Sequence, residues 1–205
     1  MKLVAEGLVL TRGSRVLVSG LSFAADAGCA LLVTGPNGVG KTTLLRALAG
    51  LFQATAGTIR LEGAADERSV ADESHYFGHL NAVKSSLTVE ENAAFWCRYL
   101  GGRREQVTTA LETFGLMALR DIPAGYLSAG QKRRLGLARM LVAERSIWLL
   151  DEPATSLDVA SQAVLAAAAN THLAGGGLVI AATHAPLGLT PARELALAGS
   201  GARAA

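Results

Sequence analysis

Apolar residues along this chain switch repeatedly between two periods. Alternating or unbroken apolar runs predict strands over Leu3–Leu10, Arg15–Ala25, Cys29–Thr34, Gly57–Glu62, Ser146–Leu150 and Gly177–Ala182. Helical spacing predicts helices over Thr42–Ala49, Glu90–Leu100, Arg103–Phe114, Ala129–Ala143 and Ser161–Leu173. Thr88 reads as the N-cap of the second helix. Leu135, Ala138 and Leu141 share one face of the fourth, as core packing requires. The runs Ser146–Leu150 and Gly177–Ala182 are apolar throughout, which suits parallel strands covered on both faces. Strands alternating with helices predict an α/β fold. The small residues of 199–205 are expected to fray.

Composition narrows this picture. A length of 205 residues suits one domain, 1–205, and a hydrophobic fraction of 50% can fill its core. A net charge of +2 gives no general electrostatic pull on nucleic acid, so no nucleic-acid partner is expected. No apolar run reaches the roughly 18 residues a membrane helix needs. Met1–Glu6 is too short and too soon interrupted to act as a secretory signal. Cys29 and Cys97 have no metal-binding spacing and read as buried thiols.

The chemistry begins at Gly35-Pro36-Asn37-Gly38-Val39-Gly40-Lys41-Thr42-Thr43. This stretch fits G-x-x-x-x-G-K-[ST] between a predicted strand and a predicted helix, the setting of a phosphate-binding loop. Glycines let backbone N–H groups turn toward phosphate oxygens, Lys41 adds a point charge, and the Thr42 hydroxyl suits Mg²⁺. The helix N-terminus adds its dipole. A glycine-rich turn with a chance lysine would not need that strand and helix. Farther along, Ile147-Trp-Leu-Leu150 ends in Asp151-Glu152. Alone, two acids before Pro153 could as well cap a helix. Paired with Lys41, Asp151 is a Mg²⁺ ligand and Glu152 a base for the attacking water.

A third stretch, Leu127-Ser128-Ala129-Gly130-Gln131, resembles the LSGGQ signature of ATP-binding cassette (ABC) ATPases, with Ala129 in place of the first glycine. Ser156-Leu-Asp158 resembles the family's D-loop, and His184 falls where the family has its switch histidine. The resemblance covers nearly the whole chain. It implies an α/β P-loop NTPase with a mixed-sheet core, an antiparallel β subdomain and a helical subdomain inserted at about 80–140. It also implies ATP and Mg²⁺ as cofactors. In the family, the signature of one subunit contacts ATP held by the other. The implied assembly is therefore a head-to-tail homodimer in which Ser128, Gly130 and Gln131 face the partner's nucleotide.

Two positions depart from the family pattern. A glutamine is usual eight residues before the L-T-V-x-E-N segment, here Leu87–Asn92, and that position holds His79. An imidazole can still sense a phosphate or a water, although it offers no amide oxygen to Mg²⁺. An aromatic that stacks on adenine is usual before the second strand, and Arg12 takes its place. Arg12 reads equally as a base-stacking guanidinium or a solvated turn residue. With Gly78, Lys84 and Phe95-Trp96, these departures resemble the CcmA family of cytochrome c biogenesis. The abrupt end after His184 agrees with that family.

That resemblance implies an ATPase on the cytoplasmic face of the bacterial inner membrane, peripheral to permease subunits of the CcmB and CcmC type. It would serve haem export or release from a haem chaperone. No Cys-x-x-Cys-His is present, so the chain itself is not expected to bind haem. Phe95, Trp96 and Tyr99 lie at helical spacing, as local core or as a groove for a membrane partner. Three other classes fit less well. DNA-repair ABC ATPases insert coiled-coil arms between loop and signature, whereas 42–127 lacks sustained heptads. Soluble translation-type ABC proteins carry two cassettes per chain. Lipid or drug transporters share the cassette but differ in cargo, which a cassette does not touch.

Overall fold

The structure is a computed structural model, and it describes residues 1–63 and 68–198. By packing, the chain falls into two units. The first comprises the described residues of Met1–Tyr76, Arg145–Glu152 and Asn170–Ala205; the second comprises Phe77–Glu144 and Pro153–Ala169.

Two sheets build the first unit. In one, β1 (Lys2–Arg12) pairs antiparallel with β2 (Arg15–Asp26) on one side and β4 (Ala56–Glu62) on the other. In the other, the order is β5 (Ser74–Phe77), β6 (Ile147–Asp151), β7 (Leu178–Ala182), β3 (Ala30–Thr34) and β8 (Ala192–Ala196). β3, β6, β7 and β8 pair in parallel. Every residue of β6 and β7 is buried, which explains their unbroken apolar sequence. Helix α1 (Lys41–Leu48) follows β3 and buries Leu44, Leu45 and Leu48. One apolar cluster joins Leu8 and Leu10 of β1, Val33 of β3, Leu44 of α1, Leu149 of β6 and Ile180 of β7. Burial of that apolar surface stabilises the seat of the phosphate loop, at about 25 cal/mol per Å².

The second unit is helical: α2 (Val89–Leu100), α3 (Arg104–Thr113), two short 3₁₀ turns, α4 (Ala129–Ala138) and the start of α5 (Val159–Ala174). Thr88 caps α2 as its sequence predicts: Thr88 Oγ1 accepts from Glu91 N–H at 3.1 Å, and the Glu91 carboxylate accepts from Thr88 N–H at 2.8 Å. The buried Asn92 amide accepts from Lys84 N–H at 2.8 Å and donates to Leu87 O at 3.2 Å, fixing the chain that enters α2.

Three expectations change. Helix α4 stops at Ala138 rather than Ala143, because Met140 N–H and Leu141 N–H bond three residues back, at 2.9 and 3.0 Å, and tighten the turn. Strands β5 and β8 were not expected. β5 has only four residues, and β8 (Ala-Arg-Glu-Leu-Ala) lacks an apolar alternation. Phe95 and Tyr99 do not form local core: they are 53% and 72% exposed and stack on each other at 6.2 Å. Cys97 is buried, Cys29 is half-buried, and both are free thiols. The 199–205 tail lies outside the described residues. Among the described residues no helix is long and apolar enough to cross a membrane.

Candidate functional site

The phosphate loop leaves β3 at Gly35 and enters α1 at Gly40. Gly35 has φ +129, and a Cβ there would lie 2.5 Å from Leu197 O. Gly40 has φ +118, and its Cβ would press Val18 Cγ2 at 3.0 Å. Both positions therefore require glycine. Gly40 is also the N-cap of α1, with no side-chain bond at the cap. The first N–H groups of the helix keep their donors for a ligand, at the positive end of the dipole.

Lys41 is buried, and its Nζ donates to Gly35 O at 2.7 Å and Pro36 O at 3.1 Å. Nζ also lies 2.9 Å from Nε2 of His184, which follows β7. The same Nε2 is 2.8 Å from Asn37 Oδ1 and 3.5 Å from Glu152 Oε1. An ammonium only donates, so facing Lys41 the ring nitrogen must accept. Facing the Asn37 and Glu152 oxygens it must donate. The same ring nitrogen thus meets one donor and two oxygens.

Asp151 ends β6 and is 1% exposed. Its Oδ1 accepts from Thr42 Oγ1 at 3.1 Å, and Tyr76 Oη lies 3.5 Å from Oδ2. Burial and the Asp151 charge push the Tyr76 hydroxyl above its ordinary pKa, so it stays protonated and able to donate. Sequence reading missed Tyr76, because the short β5 that carries it gives no clear period. Glu152 has φ +48, a conformation that costs a non-glycine residue about 1–3 kcal/mol. Its N–H donates to Ala182 O at 2.9 Å, so the edge of β7 holds the strained backbone.

Arg12 and Arg15 are directly opposed across the β1–β2 turn, and both are exposed. Side chains so paired share one face, where like charges repel. A Cβ on Gly40 would lie 3.3 Å from Leu17 Cβ, so this hairpin adjoins the phosphate loop.

The second unit carries the other predicted residues. Ser128 caps α4: its Oγ accepts from Gln131 N–H at 3.2 Å, and Gln131 Oε1 accepts from Ser128 N–H at 2.8 Å. Gln131 is thus tied to the cap, while the Ser128 hydroxyl keeps its own proton to donate. Gly130 has Ser156 O at 3.4 Å from where a Cβ would sit. Ser156 has φ +66, and Asp158 caps α5 by accepting from Ser161 N–H at 2.7 Å. The Ser161 hydroxyl, and then that backbone bond, hold the Asp158 carboxyl below its usual pKa. The His79 side chain is exposed, and its carbonyl accepts from Arg133 Nη1 at 3.3 Å.

Phosphate-loop nucleoside triphosphatases of the ABC type are the class that this fold and loop define. The profile of the ABC transporter family matches residues 18–155. A solved ABC transporter ATP-binding protein from Pyrococcus furiosus superposes with a TM-score of 0.80 over 95% of this chain and 98% of that one, at 22% identity. The cytochrome c biogenesis ATP-binding export protein CcmA of Nitrobacter winogradskyi is 50% identical over 98% of this chain and all of that protein. The CcmA protein of Rhizobium meliloti is 48% identical over 97% of this chain and 99% of its own length. The chain belongs to the CcmA family of ABC transporter ATP-binding proteins.

Proposed function

We propose that this chain is the ATP-hydrolysing subunit of an ABC transporter complex that supports haem export, or release of a haem chaperone, in cytochrome c biogenesis. The observation that carries the reading is the convergence of Lys41, His184 and Glu152 on one point beside an uncapped helix N-terminus. The full-length likeness to cytochrome c biogenesis ATP-binding export proteins supports an export role in that process. The chain acts as a single ABC ATPase domain, with the helical segment of about 80–140 inserted in it.

In this reading ATP brings phosphate oxygens to the loop from Gly35 to Thr43. Lys41 transfers its donors from loop carbonyls to those oxygens, and His184 donates to the γ-phosphate. Thr42 Oγ1 and Asp151 Oδ1 are hard oxygens 3.1 Å apart, a donor pair that fits Mg²⁺. These two residues would hold the ion, which when bound neutralises charge on the phosphate oxygens. Glu152 takes a proton from the attacking water as the new P–O bond forms. The bond between the γ-phosphorus and its bridging oxygen breaks, and ADP leaves with that electron pair.

Arg12 lays its guanidinium on the base. Two copies assemble head to tail, with Ser128, Gly130 and Gln131 of one facing the nucleotide of the other. His79 senses the γ-phosphate. The complex sits on the cytoplasmic face of the inner membrane against permease subunits of the CcmB and CcmC type, with exposed Leu80, Phe95 and Tyr99 as apolar contact surface. Replacing Glu152 by Gln should slow ATP turnover about 100-fold or more while ATP binding persists. Near-normal turnover would remove Glu152 as the base. Recovery of the native complex with a lipid or drug permease would remove the haem assignment.

A further inference from the structure

Arg133 lies one turn into α4 and is 4% exposed. Its Nη1 donates to Gly78 O at 3.0 Å, His79 O at 3.3 Å and Asn81 Oδ1 at 3.2 Å. The guanidinium carbon lies 4.2 Å over the Phe77 ring. One side chain of α4 therefore grips the 77–81 segment at four points, and the helix backbone also comes close. At Gly136 a Cβ would lie 2.9 Å from Asn81 O and 3.0 Å from a Phe77 ring carbon.

Burying a cation is costly, and a purely structural position of this kind is as well or better filled by an apolar side chain. The planar guanidinium offers what an apolar residue or a lysine does not: a fork of fixed donors and a flat face for a ring. The partners it holds are backbone carbonyls of the segment that presents His79, whose own side chain is exposed. At the other end, α4 begins at the Ser128–Gln131 cap.

We propose that Arg133 is a positioning residue, a clamp that makes the His79 segment and the Ser128 end of α4 move as one body. A displacement of His79 on contact with the γ-phosphate would then shift Ser128 as well, and closure of one site would be transmitted to the nucleotide facing that Ser128. The inference rests on the reading of His79 as sensor and Ser128 as nucleotide contact. Arg133 acts through both and touches no reacting atom.

The test is steady-state ATP turnover by the membrane complex carrying Arg133→Met, Arg133→Lys, Asn81→Ala, His79→Ala, or Arg133→Met with His79→Ala, with thermal melting as the folding control. Misplacement of a sensor should lower kcat about 10- to 100-fold, with KM for ATP within about twofold because the Lys41 loop is untouched. Arg133→Lys should recover part of kcat, and Asn81→Ala, which removes one acceptor, should lose least. The double variant should be no slower than the worse single one. Losses that multiply, a raised KM with unchanged kcat, or wild-type kcat in Arg133→Met would overturn the clamp. If Arg133→Met does not fold, Asn81→Ala and Arg133→Lys decide by the same split. A multiplicative loss with a defective His79→Ala overturns the clamp alone. Wild-type turnover in His79→Ala overturns the sensor reading, and the clamp with it.

Discussion

Helices α1 and α4 both begin at a motif that the proposed function uses, and they begin differently. At α1 the cap is Gly40, in a left-handed conformation with no side chain to satisfy the first N–H groups. At α4 the cap is Ser128, locked with Gln131 in reciprocal hydrogen bonds. An uncapped N-terminus is unfinished, and a phosphate completes it. A capped one is complete by itself, and what it has left for any ligand is the spare proton of a hydroxyl and the N–H groups the cap leaves over. On the proposed reading, the first end builds a binding site and the second a surface that adds to a site held by the partner copy.

The largest effect should come from spoiling the unfinished end. Gly40→Ala places a methyl against Val18 and Leu17 at φ +118. Strain of a few kcal/mol should weaken ATP binding about 30-fold or more by calorimetric titration. Normal affinity would show that the open helix end is not what holds the phosphates. A smaller, more discriminating effect should separate Ser128 from Thr88, which caps α2 with the same reciprocal bonds. Each Ser or Thr to Ala change should cost about 1 kcal/mol of stability in denaturant unfolding. Only Ser128→Ala should also slow turnover of the assembled ATPase, by about tenfold. Equal turnover in both variants would make Ser128 a cap and nothing more. The smallest effect belongs to Arg12→Ala. Loss of one exposed cation–π contact should weaken ATP binding about two- to fivefold. Relief of repulsion with Arg15 should leave stability unchanged or slightly raised. Unaltered affinity would leave Arg12 as a turn residue.

What the sequence shows and what it hides divide along physical lines. The loop from Gly35 to Thr43 and the Asp151-Glu152 pair are each contiguous, so spacing reveals them, and the contiguous stretch from Leu127 to Gln131 is legible through the family resemblance. The contact between Lys41 and His184 spans 143 positions and depends on β3 pairing with β7, which no local period encodes. The family resemblance supplied His184, and its neighbour Asn37 was visible only as a member of the loop. Tyr76 was lost with its short strand. Arg133 was legible as a basic residue after the signature; its grip on Gly78, His79 and Asn81 was not. Helix α4 was drawn too long because apolar spacing continues past Ala138, whereas the backbone tightens there. Phe95 and Tyr99 are exposed where the sequence leaves local core and groove both open, because helical spacing of aromatics does not say which way the face points.

Glu152 carries a consequence for how such a chain can vary. Its backbone sits at φ +48, where glycine would be more comfortable. Drift toward stability would therefore favour glycine, which has no carboxylate. With Glu152 as the proposed base, the fold and the reaction want different amino acids at 152, and a chain under selection only for folding would be expected to lose hydrolysis here before it lost its shape.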